Sequence, residues 1–231
     1  MCTLPVLSRV ARESYNQPEE VYQLLKRRGM DLVTVTDHDS IDAVETLRGR
    51  KDFFVSEEVT CRMPSGTGVH VGVYDLSDRD HVEVQRRRND MESLSAYLTE
   101  RRLLFSINHV FSSLTGRREM EDFHLIRALF PAAETRNGQM LGSTNRSSED
   151  WARRTGKIAV GGSDAHALAA LGRTYTHVAG ARSKREFLDG LRRGCGRVEG
   201  AMGNPWKLTR EVASIGWSVL REHPLWLPLA P

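Results

Sequence analysis

Short apolar runs alternate along the chain with longer, polar, helically periodic stretches. Runs of strand length, rich in β-branched or aromatic residues, cover 32–36, 53–56, 69–74, 103–107, 132–135, 157–160 and 174–178. Between them Pro18, after Asn16 as cap, opens a helix whose apolar face is Val21, Leu24 and Leu25, and Gly29 closes it. A longer helix is predicted over 79–101, with Val82, Met91, Leu94 and Leu98 at workable spacing. Another starts at Asn145 or Ser147 and ends near Gly156, Ser183 caps one carrying Phe187 and Leu191, and a last one spans 208–220. Repeated strand–helix alternation predicts an α/β fold with a largely parallel sheet, open or closed. The stretch from Gly200 to Pro205 is the one soft boundary, and separates a domain over 1–200 from a helical tail over 201–231.

Composition narrows the class. A chain of 231 residues buries a sizeable core without disulfides or metals as staples. With 39% hydrophobic and 27% charged residues it is neither disordered nor fibrous. Its 33 basic and 30 acidic residues give a net charge of +3, too balanced to demand a nucleic acid as partner. The arginine pairs, such as Arg27-Arg28, Arg101-Arg102 and Arg192-Arg193, and the triple Arg86-Arg87-Arg88 are dispersed and suit solvated helix faces. Cys2, Cys61 and Cys195 are odd in number and lack metal-type spacing, which fits a reducing, cytoplasmic compartment. Residues 1–5 lack the apolar core of a signal peptide, and no apolar run reaches the roughly 18 residues of a membrane span.

Chemistry-bearing residues gather where the predicted strands end. The clusters are Thr36-Asp37-His38-Asp39, Glu57-Glu58, Asn108-His109 and Ser163-Asp164-Ala165-His166. In parallel α/β folds ligands bind beyond the carboxyl ends of the strands, so clusters far apart in sequence converge there. Alternation sets Val33 and Val35 on one strand face and Thr34, Thr36 and His38 on the other. It likewise sets Glu57 with Val55 and Val59, and makes Glu58 the inward carboxylate. Asp164 and His166 are two apart, on one side of an extended backbone, after a glycine pair. Imidazoles with carboxylates suit Zn, Mn or Fe, and no cysteine joins the set. The metal-ligand candidates are therefore His38, Glu58, His109, Asp164 and His166, with Asp37, Glu57 and Glu134 as weaker ones. Arg136, Asn137 and Arg173 are candidates for binding an anionic substrate, because an arginine fork matches phosphate. His70, His81, His124, His177 and His223 are read as ordinary polar residues.

Val35-Thr36-Asp37-His38-Asp39-Ser40-Ile41, Glu57-Glu58-Val59-Thr60, His109 and Gly161-Gly162-Ser163-Asp164-Ala165-His166, in this order, resemble the PHP (polymerase and histidinol phosphatase) family of metal-dependent phosphoesterases. The likeness runs from about Tyr15 to Gly196. It implies a distorted β/α barrel of about seven units with one to three divalent ions at its mouth. It also implies hydrolysis of a phosphoester by a metal-activated water, with His38, Glu58, His109, Asp164 and His166 as ligands and Glu58 and Asp164 able to share ions. The family usually opens on a strand carrying His-x-His, and no histidine precedes Asp37 here. The expectation is a barrel that starts after its first strand, with one metal position weakened. The expected partner is a small phosphorylated substrate, with no membrane. A catalytically impaired metal- or ligand-binding protein is the alternative, and a nucleic-acid-processing phosphoesterase a third reading.

Overall fold

The computed structural model describes residues 17–113 and 116–203. The helix expected over 208–220 lies outside them. Pro18–Arg27 forms α1, with Glu19 and Glu20 in its first turn and Lys26 and Arg27 in its last, charges that suit the helix dipole. β1 is Thr36–His38, followed by a short 3-10 helix, Asp42–Leu47. β2 (Ser56–Arg62) and β3 (Gly68–Tyr74) form a hairpin, and α2 (Asp78–Arg87) and α3 (Met91–Glu100) lead to β4 (Leu104–Ile107). Then come α4 (Met120–Leu129), β5 (Ala132–Asn137), α5 (Gly142–Thr155), β6 (Ile158–Gly162), β7 (Thr174–Val178), α6 (Lys184–Arg192) and β8 (Gly196–Gly200).

The architecture is α/β. Strands β1 to β6 follow one another across a single sheet, curled as a half-barrel, and β7 and β8 form a separate antiparallel ribbon. The ribbon packs on β6, where the Gly161 N–H donates to Thr176 Oγ1 at 3.0 Å and that hydroxyl donates back to the Gly161 carbonyl. Pairs β1/β2, β4/β5 and β5/β6 are parallel, whereas β3 runs antiparallel to both its neighbours. The expected largely parallel sheet thus contains one reversed strand. Its cause is local: the turn between β2 and β3 is too short for a crossover helix, and Gly66 takes a positive φ of 88° within it.

The outer face of this sheet carries the main core. Val59, Val69, Val71, Phe105 and Ile107 pack under Val84 of α2, Leu94 and Leu98 of α3 and Ile126 of α4. Val33 joins Tyr22, Val44, Leu47 and Phe53 in a second cluster beneath α1. The predicted helix over 79–101 is two helices. Asp90 adopts extended backbone and its carboxylate accepts the Ser93 N–H at 3.0 Å, an N-cap that outcompetes continuation through Arg88 and Asn89. β8, with Val198 as its one large apolar residue, and α4 carry weak periodicity and were not among the predicted elements. Among the described residues no helix is long and apolar enough to cross a membrane.

Candidate metal centre

Strand parity and register assemble the site. His38 of β1 lies opposite Glu58 of β2, and Glu58 lies opposite Gly72 of β3. Glu57, one residue earlier, points through the other face to α2, where His81 Nδ1 lies 2.7 Å from its Oε2. Glu58 is the hub of the inner face. Its Oε2 is 3.5 Å from His38 Nε2, and its Oε1 is 3.5 Å from His70 Nδ1 and 3.4 Å from His109 Nε2. His70 Nδ1 and His109 Nε2 are 3.2 Å apart, within hydrogen-bond distance. Donor atoms of His38, Glu58 and His70 all lie within 4.8 Å of one another, as the ligands of one cation do.

A hydrogen-bond chain aims the hub. Tyr74 Oη lies 2.9 Å from Ser106 Oγ, that hydroxyl donates to Asn108 Oδ1 at 2.8 Å, and Asn108 Nδ2 donates to Glu58 Oε1 at 2.9 Å. Gly72 leaves room for this chain, since a Cβ there would come within 2.7 Å of the Tyr74 hydroxyl and 3.1 Å of Asn108 Oδ1. Asp164 and His166 enter from the turn after β6. Asp164 Oδ2 accepts from Asn137 Nδ2 at 3.0 Å, and His166 Nδ1 is 3.1 Å from the Asp164 carbonyl oxygen. Both line the same cleft as His38, Glu58, Asn108 and Glu134, a cleft of about 1350 Å³. Their link to Glu58 is indirect, through Asn137, Glu134 and His109.

Backbone strain concentrates here. Of the non-glycine residues at positive φ, Asp39 (54°), His109 (29°) and Asp164 (46°) flank or belong to the site. Each such position costs on the order of 1–3 kcal/mol and persists only where the surroundings impose it.

Electrostatics follow from burial and crowding. Burial alone would raise the Glu58 pKa, but hydrogen bonds to His109 and His70 and the nearby His38 outweigh it and hold this carboxylate well below its usual range. Burial lowers His70, whereas at His109 burial is outweighed by Glu58, Glu134 and Asp164, so that His109 is raised. Glu134 is pushed up to about 7, chiefly by burial, with His109 opposing and Asp164 reinforcing the rise. The residues fit a divalent cation on structural grounds: His109 Nδ1 is buried without a hydrogen-bond partner, and three imidazoles converge on one carboxylate. Nitrogen and carboxylate donors of this kind suit Zn, Mn or Fe.

The sequence-derived candidates divide. His38, Glu58 and His109 share the cluster, and Asp164 and His166 sit beside it in the cleft. Asn137 is 1% exposed and its amide is fully committed: Nδ2 to Glu134 and Asp164, Oδ1 to the Gln139 and Met140 N–H groups. It frames the site and has no free group for substrate. Arg136 turns away, with its guanidinium on Glu149 at 2.8 Å and on the Gly200 carbonyl, and Arg173 is exposed outside the cleft lining. His124 and His177 are exposed, and His81 serves Glu57. His70 is the residue that sequence reasoning missed. It stands near the start of β3, and in an all-parallel sheet that end lies away from the site. Reversal of β3 carries it to the mouth, and the Pro64-Ser65-Gly66 turn between two alternating runs is the signal that foretells the reversal.

Comparison with known proteins fits this geometry. Residues 142–195, from α5 to just past α6, match the family model described as PHP-associated. No curated protein matches the chain. Among solved structures it is similar to PsfC from Pseudomonas syringae PB-5123, at 14% identity and a TM-score of 0.62, over 92% of this chain and 95% of that one. It is also similar to an amidohydrolase from Chromobacterium violaceum with bound sulfate and no metal, at 14% identity and a TM-score of 0.55, over 87% and 92% of the two chains. A protein of Bifidobacterium adolescentis assigned as a metal-dependent phosphoesterase matches at 12% identity and a TM-score of 0.51, over 78% and 92%. The chain therefore shares its α/β fold with these structures, and a segment in its C-terminal half matches the PHP-associated model.

Proposed function

We propose that the protein is a metal-dependent phosphoesterase that hydrolyses a phosphate ester of a small molecule. The observation that carries this reading is the convergence of His38, His70 and His109 on Glu58 at 3.4–3.5 Å, at the mouth of a PHP-type fold. His38, Glu58, His70 and His109 would hold one divalent ion, with Asp164 and His166 as further donors lining the same cleft. When bound, such an ion supplies Lewis acidity and lowers the pKa of a coordinated water. The rest falls to the chain itself. Asn108 fixes the Glu58 carboxylate, and the His166 Nδ1 contact with the Asp164 carbonyl leaves Nε2 as its free ring nitrogen. In the net reaction water adds to phosphorus, the P–O ester bond breaks, and the alcohol leaves with a proton.

The test is metal analysis of the purified protein followed by phosphate release from p-nitrophenyl phosphate and from a panel of small phosphomonoesters. Turnover with Mn or Zn, abolished by a chelator and by Glu58→Gln, is expected. Metal bound stoichiometrically without turnover on any ester would replace this reading with that of a metal- or ligand-binding protein. That second reading is favoured by the indirect connection of Asp164 to the Glu58 cluster.

A further inference from the structure

Strand β5 carries a bulge: its register against β6 slips between Glu134 and Arg136. In regular extended backbone, residues three apart face opposite ways. The extra residue at the bulge brings Glu134 and Asn137 to the same face, where Asn137 Nδ2 donates to both Glu134 oxygens at 3.1 Å. Asn137 cannot turn, because its Oδ1 accepts two backbone N–H groups, its own N–H donates to Asn145 Oδ1, and Asn145 Nδ2 donates back to its carbonyl. From this fixed pair two bonds leave. Glu134 Oε2 accepts the backbone N–H of His109 at 2.8 Å, and Asn137 Nδ2 reaches Asp164 Oδ2 at 3.0 Å. His109 and Asp164 are the two site residues held at positive φ, conformations that relax unless something holds them.

We propose that the bulged Glu134–Asn137 pair is a positioning unit, which sets His109 against Glu58 through its backbone and fixes Asp164 through its side chain. Its consequence for catalysis rests on the metal reading given above, but the positioning itself does not. The Glu134 carboxylate is buried at the cleft wall, and among the described residues its hydrogen bonds go to the His109 N–H and to Asn137 Nδ2. It acts through these neighbours.

Two substitutions in the full-length chain test this, first without metal. Measured above the Glu134 pKa of about 7, where the carboxylate is ionised, Glu134→Gln is isosteric but removes the charge from the bond to His109, and charge-assisted bonds are about twice as strong as neutral ones. Backbone NMR with hydrogen exchange is expected to show the His109 amide exchanging roughly 10-fold faster. Asn137→Ser is expected to shift Asp164 and leave His109 protected. Unchanged His109 exchange in a folded Glu134→Gln protein, or an undisturbed Asp164 in Asn137→Ser, overturns the proposal, and either variant decides it if the other fails to fold. Mn titration calorimetry then reads the consequence: Glu134→Gln should weaken binding about 10–100-fold, as outer-shell substitutions do. In a His109→Ala/Asn137→Ser background the same change should cost less than about 3-fold. A full-size loss in that background would show that Glu134 meets the ion itself and overturn the positioning role. Wild-type protein that binds no Mn would instead overturn the metal reading, and the exchange data would still decide the positioning.

Discussion

Adjacent glutamates on β2 each have their own histidine, and the two pairs should respond in opposite ways to its removal. Glu57 is completely buried; its Oε2 accepts from His81 and from Gln85 Nε2 at 3.1 Å, and its Oε1 has no partner. Burial raises the Glu57 pKa and His81 opposes that rise. Removing one partner from a buried ionic pair costs about 3–5 kcal/mol. The His81 side chain is 21% exposed and Glu57 can escape by taking a proton, so about 2 kcal/mol is the better figure for His81→Ala. At about 2–4 °C per kcal/mol for a chain of this size, the melting midpoint should fall by roughly 4–8 °C, with Mn affinity unchanged. His70→Ala removes a neutral imidazole whose contacts are 3.2 Å to His109 and 3.5 Å to Glu58, and should cost about 1 kcal/mol or less. Its effect should fall on metal. An outer-shell partner is worth about 10–100-fold in affinity, so loss of a direct ligand should exceed 100-fold. Thermal melts with and without Mn, paired with titration calorimetry, read both quantities. Mn binding of wild-type strength in His70→Ala, or its loss in a stable His81→Ala protein, would refute the assignment of faces.

Asp80 accepts from the Ser77 N–H and hydroxyl, from Tyr97 Oη and from Arg101 Nε, and these bonds overcome burial to hold it well below the usual carboxylate range. A depressed folded pKa stabilises above the unfolded value of about 3.9 and is lost as pH falls below it. Asp80→Asn should therefore cost about 2–3 kcal/mol at pH 7 and less near pH 3, measured by urea midpoints across that range, and an equal loss at both pH values would contradict the sign. Gly72→Ala places a methyl 2.7 Å from the Tyr74 hydroxyl and should weaken Mn binding about 10-fold by displacing Asn108 from Glu58; calorimetry showing unchanged affinity would exclude that chain as the support of Glu58. Chelation of metal-loaded protein should lower its melting midpoint by about 5–10 °C, since ligand at 100 times its Kd contributes about 2.7 kcal/mol, and Mn should restore it where Ca does not.

The parts of this protein legible in the sequence are those governed by a period. Alternation along β2 separates Glu57 from Glu58 because a strand has only two faces, and the structure sets one on α2 and the other at the cluster. Helices with clean starts, such as α6 after Ser183 and α1 at Pro18, likewise emerge from local signals. What stayed hidden depends on direction and register, which are decided between segments. His70 looks ordinary until β3 is known to run backwards. Glu134 and Asn137, three apart on one strand, look as though they face opposite ways until the bulge is known. Arg136 looks free for phosphate until α5 brings Glu149 within 2.8 Å. Both hidden departures, the reversed strand and the bulged one, lie at the site. Regular β/α alternation alone would have left Glu58 facing two imidazoles rather than three, and would have left His109 and Asp164 without the bonds that hold their strained backbones. In this chain the periodic pattern builds the scaffold, and its local violations build the centre.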